Sequence, residues 1–319
     1  MQHLQRISLL TFALLLPFAP ACDSNPEVKT YAFAEAPSAD LVPSGAVEVI
    51  TEADVRYHVV TAFGFTMTII ESETGAVILD VGPKADYLPT IGAELTAYVD
   101  AIGKPYSVII SHAHPDHYGN VDQFNSVDVY AESVVVEELG KNDDFNAAYT
   151  GTLKGVDRSA EIYGLTYNFD RVSQAETAEN AYIYLESHKA LFAEDLVYNR
   201  THSYIREYTP RDDVDELDNW KAGLSELKST FGDYQHVFVG HGGHRADVAA
   251  TIDENLSYLS DAQGLILGSK TLTDGTTATT NQQVVDEIAR LYPDYDEGAL
   301  SLSLPDAYYE GDPGAIWFP

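Results

Sequence analysis

The chain has 319 residues, 45% of them hydrophobic, which suits a globular fold and excludes a disordered acidic chain. Its 18 Lys and Arg stand against 50 Asp and Glu, a formal net charge of -32. That excess excludes nucleic acid as a partner, because nothing would offset phosphate repulsion. It fits solubility in salty surroundings first, and a field favouring cationic ligands second.

Residues 1–21 read as a secretory signal. Arg6 supplies the positive charge, Ile7 to Phe18 is almost wholly apolar, and Ala19-Pro20-Ala21 precedes the only cysteine, Cys22. The stretch is too short for a comfortable transmembrane span. The small residues before Cys22 resemble a bacterial lipoprotein cleavage box, with Cys22 lipidated; cleavage after Ala-x-Ala and release is the alternative. The expected location is therefore exported, periplasmic or on the outer cell surface, with membrane contact only through Cys22. A lone cysteine also excludes an intrachain disulfide, a Cys nucleophile and a Cys ligand. Residues 22–45 carry Pro, Ala, Ser, Glu and Asp and read as a flexible tether. Residues 46–319 then form one large domain with its own core.

Val47 to Val81 predicts successive strands, rich in β-branched residues around His58–Ala62, Phe65–Ile70 and Ala76–Asp80. A helix is expected over Ala85–Ile102, where Leu88, Ile91, Leu95, Val99 and Ile102 recur at helical spacing, closed by Gly103-Lys104-Pro105. A buried strand over Tyr106–Ile110 follows, then a strand at Val127–Tyr130 and a helix at Ser133–Leu139. Strands return between Thr166 and Asp195. A helix over Val214–Phe231 carries Trp220, Leu224 and Leu227 on one face. A strand at His236–Val239 ends at Gly240-His241-Gly242-Gly243, and helices at Ala246–Leu259 and Asn281–Leu291 complete the domain. This order suits two sheets packed face to face with helices outside, an α/β four-layer αββα sandwich.

The densest chemistry lies in Ser111-His112-Ala113-His114-Pro115-Asp116-His117. Three imidazoles and a carboxylate at the end of a strand can hold a metal pair, because neutral His nitrogen and carboxylate oxygen are the donors zinc accepts when thiolate is lacking.

With these residues the chain resembles the metallo-β-lactamase-fold hydrolases, whose His-x-His-x-Asp-His signature stands here as His112, His114, Asp116 and His117. Val77 to Gly82 is similar to the early strand whose Asp, here Asp80, supports the metal loop. Leu191 to Asp195 falls at the bridging carboxylate, and Val239-Gly240-His241-Gly242 at the final His ligand. The resemblance implies metal ligands His112, His114, Asp116, His117 and His241. The family's further His, from a Gly-His-Thr segment, has no counterpart; the segment here is Gln174 to Asn180, where Glu176, or alternatively Glu179, can supply the donor. Glu194 stands where the family has Gly. This Glu-rich pairing is similar to the alkylsulfatase branch, which uses two Glu ligands. Neighbouring strand residues point to opposite faces, so Asp195 and Glu194 are alternatives as the bridge, with Asp195 preferred.

The first metal set is then His112, His114 and Glu176. The second is Asp116, His117 and His241, with Asp195 or Glu194 between. The implied cofactors are two Zn, with Mn or Fe also accommodated by so oxygen-rich a set. The implied function is a dinuclear metal-dependent hydrolase that uses a metal-bound hydroxide on an ester, lactone, amide or sulfate-ester bond of a small-molecule substrate. Besides Asp116, Tyr198 is a candidate donor to a developing oxyanion, and His202 a candidate for substrate holding or proton transfer. Asp80 is expected to orient a metal His rather than bind metal. His58, His236 and His244 are expected to be structural. The loops at 141–158 and 201–213 are expected to wall the pocket. The alternative reading is a non-catalytic metal-binding or interaction lipoprotein on the same scaffold.

Overall fold

A computed structural model describes residues 31–208, 215–305 and 315–318. The signal segment, Cys22 and the start of the tether lie outside the described residues. So does the end of the expected pocket loop at 201–213.

The first half of the domain contains β1 (Ala46–Glu52), β2 (Val55–Ala62), β3 (Phe65–Glu71), β4 (Ala76–Leu79), α1 (Ile91–Ile102), β5 (Tyr106–Ile109), the short α2 (Pro115–Tyr118), β6 (Val129–Glu132), α3 (Ser133–Lys141), α4 (Asp143–Ala148) and β7 (Leu153–Val156). The second half contains β8 (Ser159–Ile162), β9 (Leu165–Ser173), β10 (Glu179–Leu185), β11 (Ala190–Tyr198), α5 (Glu216–Phe231), β12 (His236–His241), β13 (His244–Arg245), α6 (Val248–Ile266) and α7 (Asn281–Leu291). The hydrogen-bonded path runs β7-β6-β5-β4-β3-β12-β11-β10-β9-β8. Its two halves join where β3 meets β12, through the pair Phe65 and His241.

The layers follow from side-chain alternation along strands. In β4, Ala76 and Ile78 pack outward against Leu95 and Val99 of α1, while Val77 and Leu79 face inward. In β11, Leu191 and Ala193 pack outward against α5 and α6, while Ala190 and Phe192 face inward. The inward sets meet in a cluster between the sheets that holds Tyr57, Tyr167, Phe192 and Phe238. Strands buried on both faces read as continuous apolar runs, and β11 is buried at every position. The result is the expected four-layer αββα sandwich.

The helices form where the apolar spacing predicts them, with ends set by local caps. Asp215 accepts from Asp218 N at the start of α5, Asp247 caps α6 and Thr280 caps α7. Trp220 of α5 is buried, and its Nε1 donates to Leu196 O at 2.9 Å. Replacing it with Ala would open a cavity worth about 3–5 kcal/mol. α1 starts at Ile91 rather than near Ala85, because Pro89 disfavours helical backbone at Leu88.

The expected tether is shorter than 22–45. Tyr31 N donates to Ala53 O, Ala34 O accepts from Arg56 Nη1 at 2.7 Å, and Ser44 donates to Glu94 through both N and Oγ. Val42 is buried in the outer core beside α1. An apolar side chain with a pocket, plus backbone groups that find partners, fixes this stretch to the body. Among the described residues, no helix is long and apolar enough to cross a membrane.

Candidate metal centre

The donors collect at one end of the sheets. β4 delivers Asp80, β5 runs into Ser111 and His112, and α2 carries Asp116 and His117. The β9–β10 hairpin loop presents Glu176, β11 presents Asp195, and β12 ends at His241. Three groups of ligand atoms result, each within 4.8 Å of one another: His112, His114, Glu176 and Asp195; Asp116, His117, Asp195 and His241; and Asp80, His117 and Glu194. The first two share Asp195.

The distances leave room at the centre of each group. His112 Nε2 stands 3.9 Å from both Glu176 Oε2 and Asp195 Oδ2, and His114 Nδ1 stands 3.3 Å from Glu176 Oε1. His117 Nε2 is 3.3 Å and His241 Nε2 3.2 Å from Asp195 Oδ2, and the same two nitrogens are 3.6 and 3.4 Å from Asp116 Oδ2. His112 Nε2, His117 Nε2, Glu176 Oε1 and Asp195 Oδ1 are buried without a hydrogen-bond partner. Buried polar atoms are nearly always satisfied, so four orphans on residues of these two groups fit a cation. The donor set is hard-to-borderline N and O, which suits Zn, Mn or Fe.

Electrostatics agrees. Burial disfavours charge on His117 and His241, yet the carboxylates of Asp195 and Asp116 outweigh it, lifting His117 well up and His241 to about 10. Burial acts against Asp195 too, but His117 and His241 hold it well below the usual carboxylate range. Carboxylates packed this closely demand positive charge, and here protons on imidazole supply it. His112, deep and beside two other imidazoles, is pushed well down and is neutral.

The ligands are oriented from behind. His117 Nδ1 donates to Asp80 Oδ2 at 2.6 Å, which turns Nε2 toward Asp195. Ser111 donates to the same carboxylate from N and Oγ, at 2.8 and 2.6 Å. Asp80 thus holds His117 from behind and lies outside the two groups that share Asp195. Asn180 Nδ2 donates to Glu176 Oε2 at 2.8 Å, while its Oδ1 accepts from Thr177 N, so one amide sets both loop and ligand. His114 Nε2 donates to Glu207 Oε1 at 3.1 Å, leaving Nδ1 to Glu176.

The two open choices between carboxylates separate cleanly. Glu179 opens β10, where it pairs with Arg171 at 3.0 Å and accepts from Ser173 Oγ, outside both groups. Glu194 lies outside the two groups that share Asp195. Its backbone takes φ 44° in an irregular stretch of β11, a left-handed value that costs a non-glycine about 1–2 kcal/mol. Its carboxyl groups instead with Asp80 and His117. Burial and the neighbouring Asp80 carboxylate push it well up.

Two further candidates stand apart from the donors' open face. Tyr198 is buried; its hydroxyl donates to Asp195 Oδ2 at 3.1 Å, and its ring stacks on His241 at 5.0 Å. The phenol hydrogen is given to Asp195. His202 is buried against Tyr258 and Tyr295, with Nδ1 3.2 Å from Tyr258 Oη, and does not reach the donors. Asp116 does line the cavity above the donors. His58, His236 and His244 hydrogen-bond within the body, to Glu71, Glu52 and each other.

Sequence reading missed Glu207, Asn180 and Gly240. The first two are ordinary polar residues whose partners depend on the fold. Gly240 has a sharper signal, lying next to a ligand His: a Cβ there would overlap Asp195 Oδ1, so only glycine fits.

The family model described as the metallo-beta-lactamase superfamily matches residues 61–156, the stretch that contains His112 to His117. Comparison with curated protein sequences gives no match. Among solved structures, a metallo-beta-lactamase from Pontibacter korlensis aligns with TM-score 0.52 at 20% identity, covering 67% of this chain and 99% of its own. The DIM-1 metallo-beta-lactamase exposed to ceftazidime aligns with TM-score 0.52 at 16% identity, covering 72% and 100%. A double mutant of the sec-alkyl sulfatase PisA1 aligns with TM-score 0.55 at 17% identity over 76% of this chain, which spans 45% of that protein. The chain has the metallo-β-lactamase fold and resembles both the β-lactamases and a sec-alkyl sulfatase of that superfamily.

Proposed function

We propose that the chain is an exported dinuclear metal-dependent hydrolase. The observation that carries this reading is the pair of donor groups sharing Asp195, with four buried donor atoms lacking any other partner. His112, His114 and Glu176 would hold one ion, and Asp116, His117 and His241 the other, with Asp195 between them. Bound divalent ions supply Lewis acidity and bring the pKa of water toward neutrality. The chain's residues do the rest. Asp80, Asn180, Glu207 and Tyr198 fix the orientation of four ligands. Asp116, on the cavity wall, is placed to hold a proton from water at its carboxylate. Glu176 in place of an imidazole adds a negative charge, which lowers the electrophilicity of its ion relative to an all-His set.

The test is metal content and turnover on one sample. Two equivalents of Zn or Mn per chain, with metal-dependent hydrolysis of activated esters, are expected. Full metal loading with no hydrolysis of ester, lactone, amide or sulfate ester would favour a non-catalytic binding protein. Absence of bound transition metal would overturn the site. Lipid anchoring at Cys22 is part of the same proposal. Its test is labelling by a fatty acid in an expressing bacterium, expected for the intact chain and lost in Cys22→Ser.

A further inference from the structure

The substrate class follows from the walls of the same site, and this inference rests on the hydrolase reading. The cavity over the donors holds about 480 Å³, within the range of small-molecule pockets. Beyond the metal donors its walls include Phe63, Phe65, Tyr87, Tyr204, Pro83 and Leu302. The apolar surface begins at the reacting centre itself. The Phe65 ring lies 5.4 Å from that of His241, and the Tyr204 ring 5.5 Å from that of His114. Phe63 sits at the tip of the β2–β3 hairpin, 79% exposed, with φ 52° followed by Gly64 at 88°. A large apolar side chain is thus held out over the mouth.

Charge on these walls is mostly negative. Apart from the three carboxylates that would face the ions and the imidazoles of His114 and His241, the described lining residues include Glu297 and one guanidinium, Arg206. Arg206 Nη1 donates to Leu302 O at 2.6 Å. A sulfate or phosphate monoester brings charged oxygens that need several donors beyond the metals. The described walls offer aromatic and aliphatic surface instead.

We propose that the site takes an uncharged acyl substrate, a carboxylic ester or lactone with an apolar body, in preference to sulfate or phosphate monoesters. In that reaction the oxygen of water bonds to the acyl carbon as the acyl C–O bond breaks. The electron pair of the broken bond goes to the alcohol oxygen, which takes one proton from water. The carboxylate and a second proton leave.

The test uses the full chain loaded with Zn or Mn and p-nitrophenyl acetate, butyrate, hexanoate, sulfate and phosphate. Butyrate is expected to exceed sulfate and phosphate at least 100-fold in kcat/KM. From acetate to hexanoate kcat/KM is expected to rise, by up to about fourfold per buried CH2. Phe63→Ser is expected to flatten that rise, lowering hexanoate more than acetate. Calorimetry gives a readout without turnover: 2-octanone is expected to bind the metal-free chain and octyl sulfate is not. Turnover of sulfate or phosphate equal to or above the acyl esters, or tighter binding of octyl sulfate, overturns the substrate class and leaves the hydrolase reading standing. No hydrolysis of any ester by the metal-loaded chain overturns both.

Discussion

Two buried clusters in this molecule use the same residue types to opposite ends. Around Glu71, a carboxylate 1% exposed meets Arg56 at 2.6 Å, His58 at 3.0 Å and Lys104 at 2.9 Å. Arg56 also lies over the Phe33 ring, and Lys104 over those of Tyr31 and Phe33, so the segment from residue 31 covers the cluster. None of the polar atoms of Glu71, Arg56, His58 or Lys104 is an orphan. Around Asp195, carboxylates and imidazoles converge, none of the ion pairs of the two groups that share it involves Arg or Lys among the described residues, and four atoms are left unsatisfied. A buried carboxylate with its own cations is architecture. A buried cluster that lacks them is built to receive one.

The comparison breaks most visibly at Asp195. Asp195→Ala is expected to remove one metal equivalent and to lower kcat/KM by more than the roughly 100-fold typical of outer partners. Metal analysis and steady-state kinetics check this, with circular dichroism expected to show a retained fold. Gly240→Ala is expected to mimic it through steric clash with Asp195.

Glu71→Gln should act on the other cluster, costing about 3 kcal/mol in denaturant unfolding while leaving metal stoichiometry at its wild-type value. The pH dependence has a defined sign. Burial disfavours the Glu71 carboxylate, but His58, Lys104 and Arg56 together hold it at about 2. Its contribution is present in full above about pH 4.5 and is lost as pH falls from there through about 2. After solvent screening this amounts to roughly 1–2 kcal/mol. Urea titrations of the metal-free chain across that window are expected to show the loss in wild type and a flatter profile in Glu71→Gln.

Metal itself is expected to stabilise the chain by about 2.7 kcal/mol at one hundred times Kd, read as a rise in Tm that chelation reverses. Glu207→Ala is expected to weaken binding of the ion held by His114 by about 10–100-fold, with partial rescue in Glu207→Gln, measured by competition against a chelating dye. Tyr198→Phe is the mildest change, about 1 kcal/mol, since it removes one hydrogen bond to Asp195 and keeps the stack on His241.

Much of the fold was legible because its signals are local. The apolar runs of β4 and β11 and the helical spacing of Trp220, Leu224 and Leu227 each span a few residues. The His112 to His117 run was legible for the same reason. Glu207 was not, since its partner His114 is 93 residues away. Tyr198 and His202 have the right chemistry, but their directions depend on the turn of the chain after β11. That turn aims one at Asp195 and the other at Tyr258.

By itself, the sequence determined the sandwich of two sheets, the donor types, and the short list of carboxylates that can complete the set. Tertiary structure decided which carboxylates meet. Hairpin pairing sends Glu179 to Arg171 and leaves Glu176 in the loop beside Asn180, while a left-handed residue in β11 turns Glu194 to Asp80 and Asp195 to the imidazoles. The reason is geometric: metal ligation requires donor atoms from five separate elements to converge within a few ångströms. Local patterning places each side chain on its element, and only the packing of elements sets the distances between them.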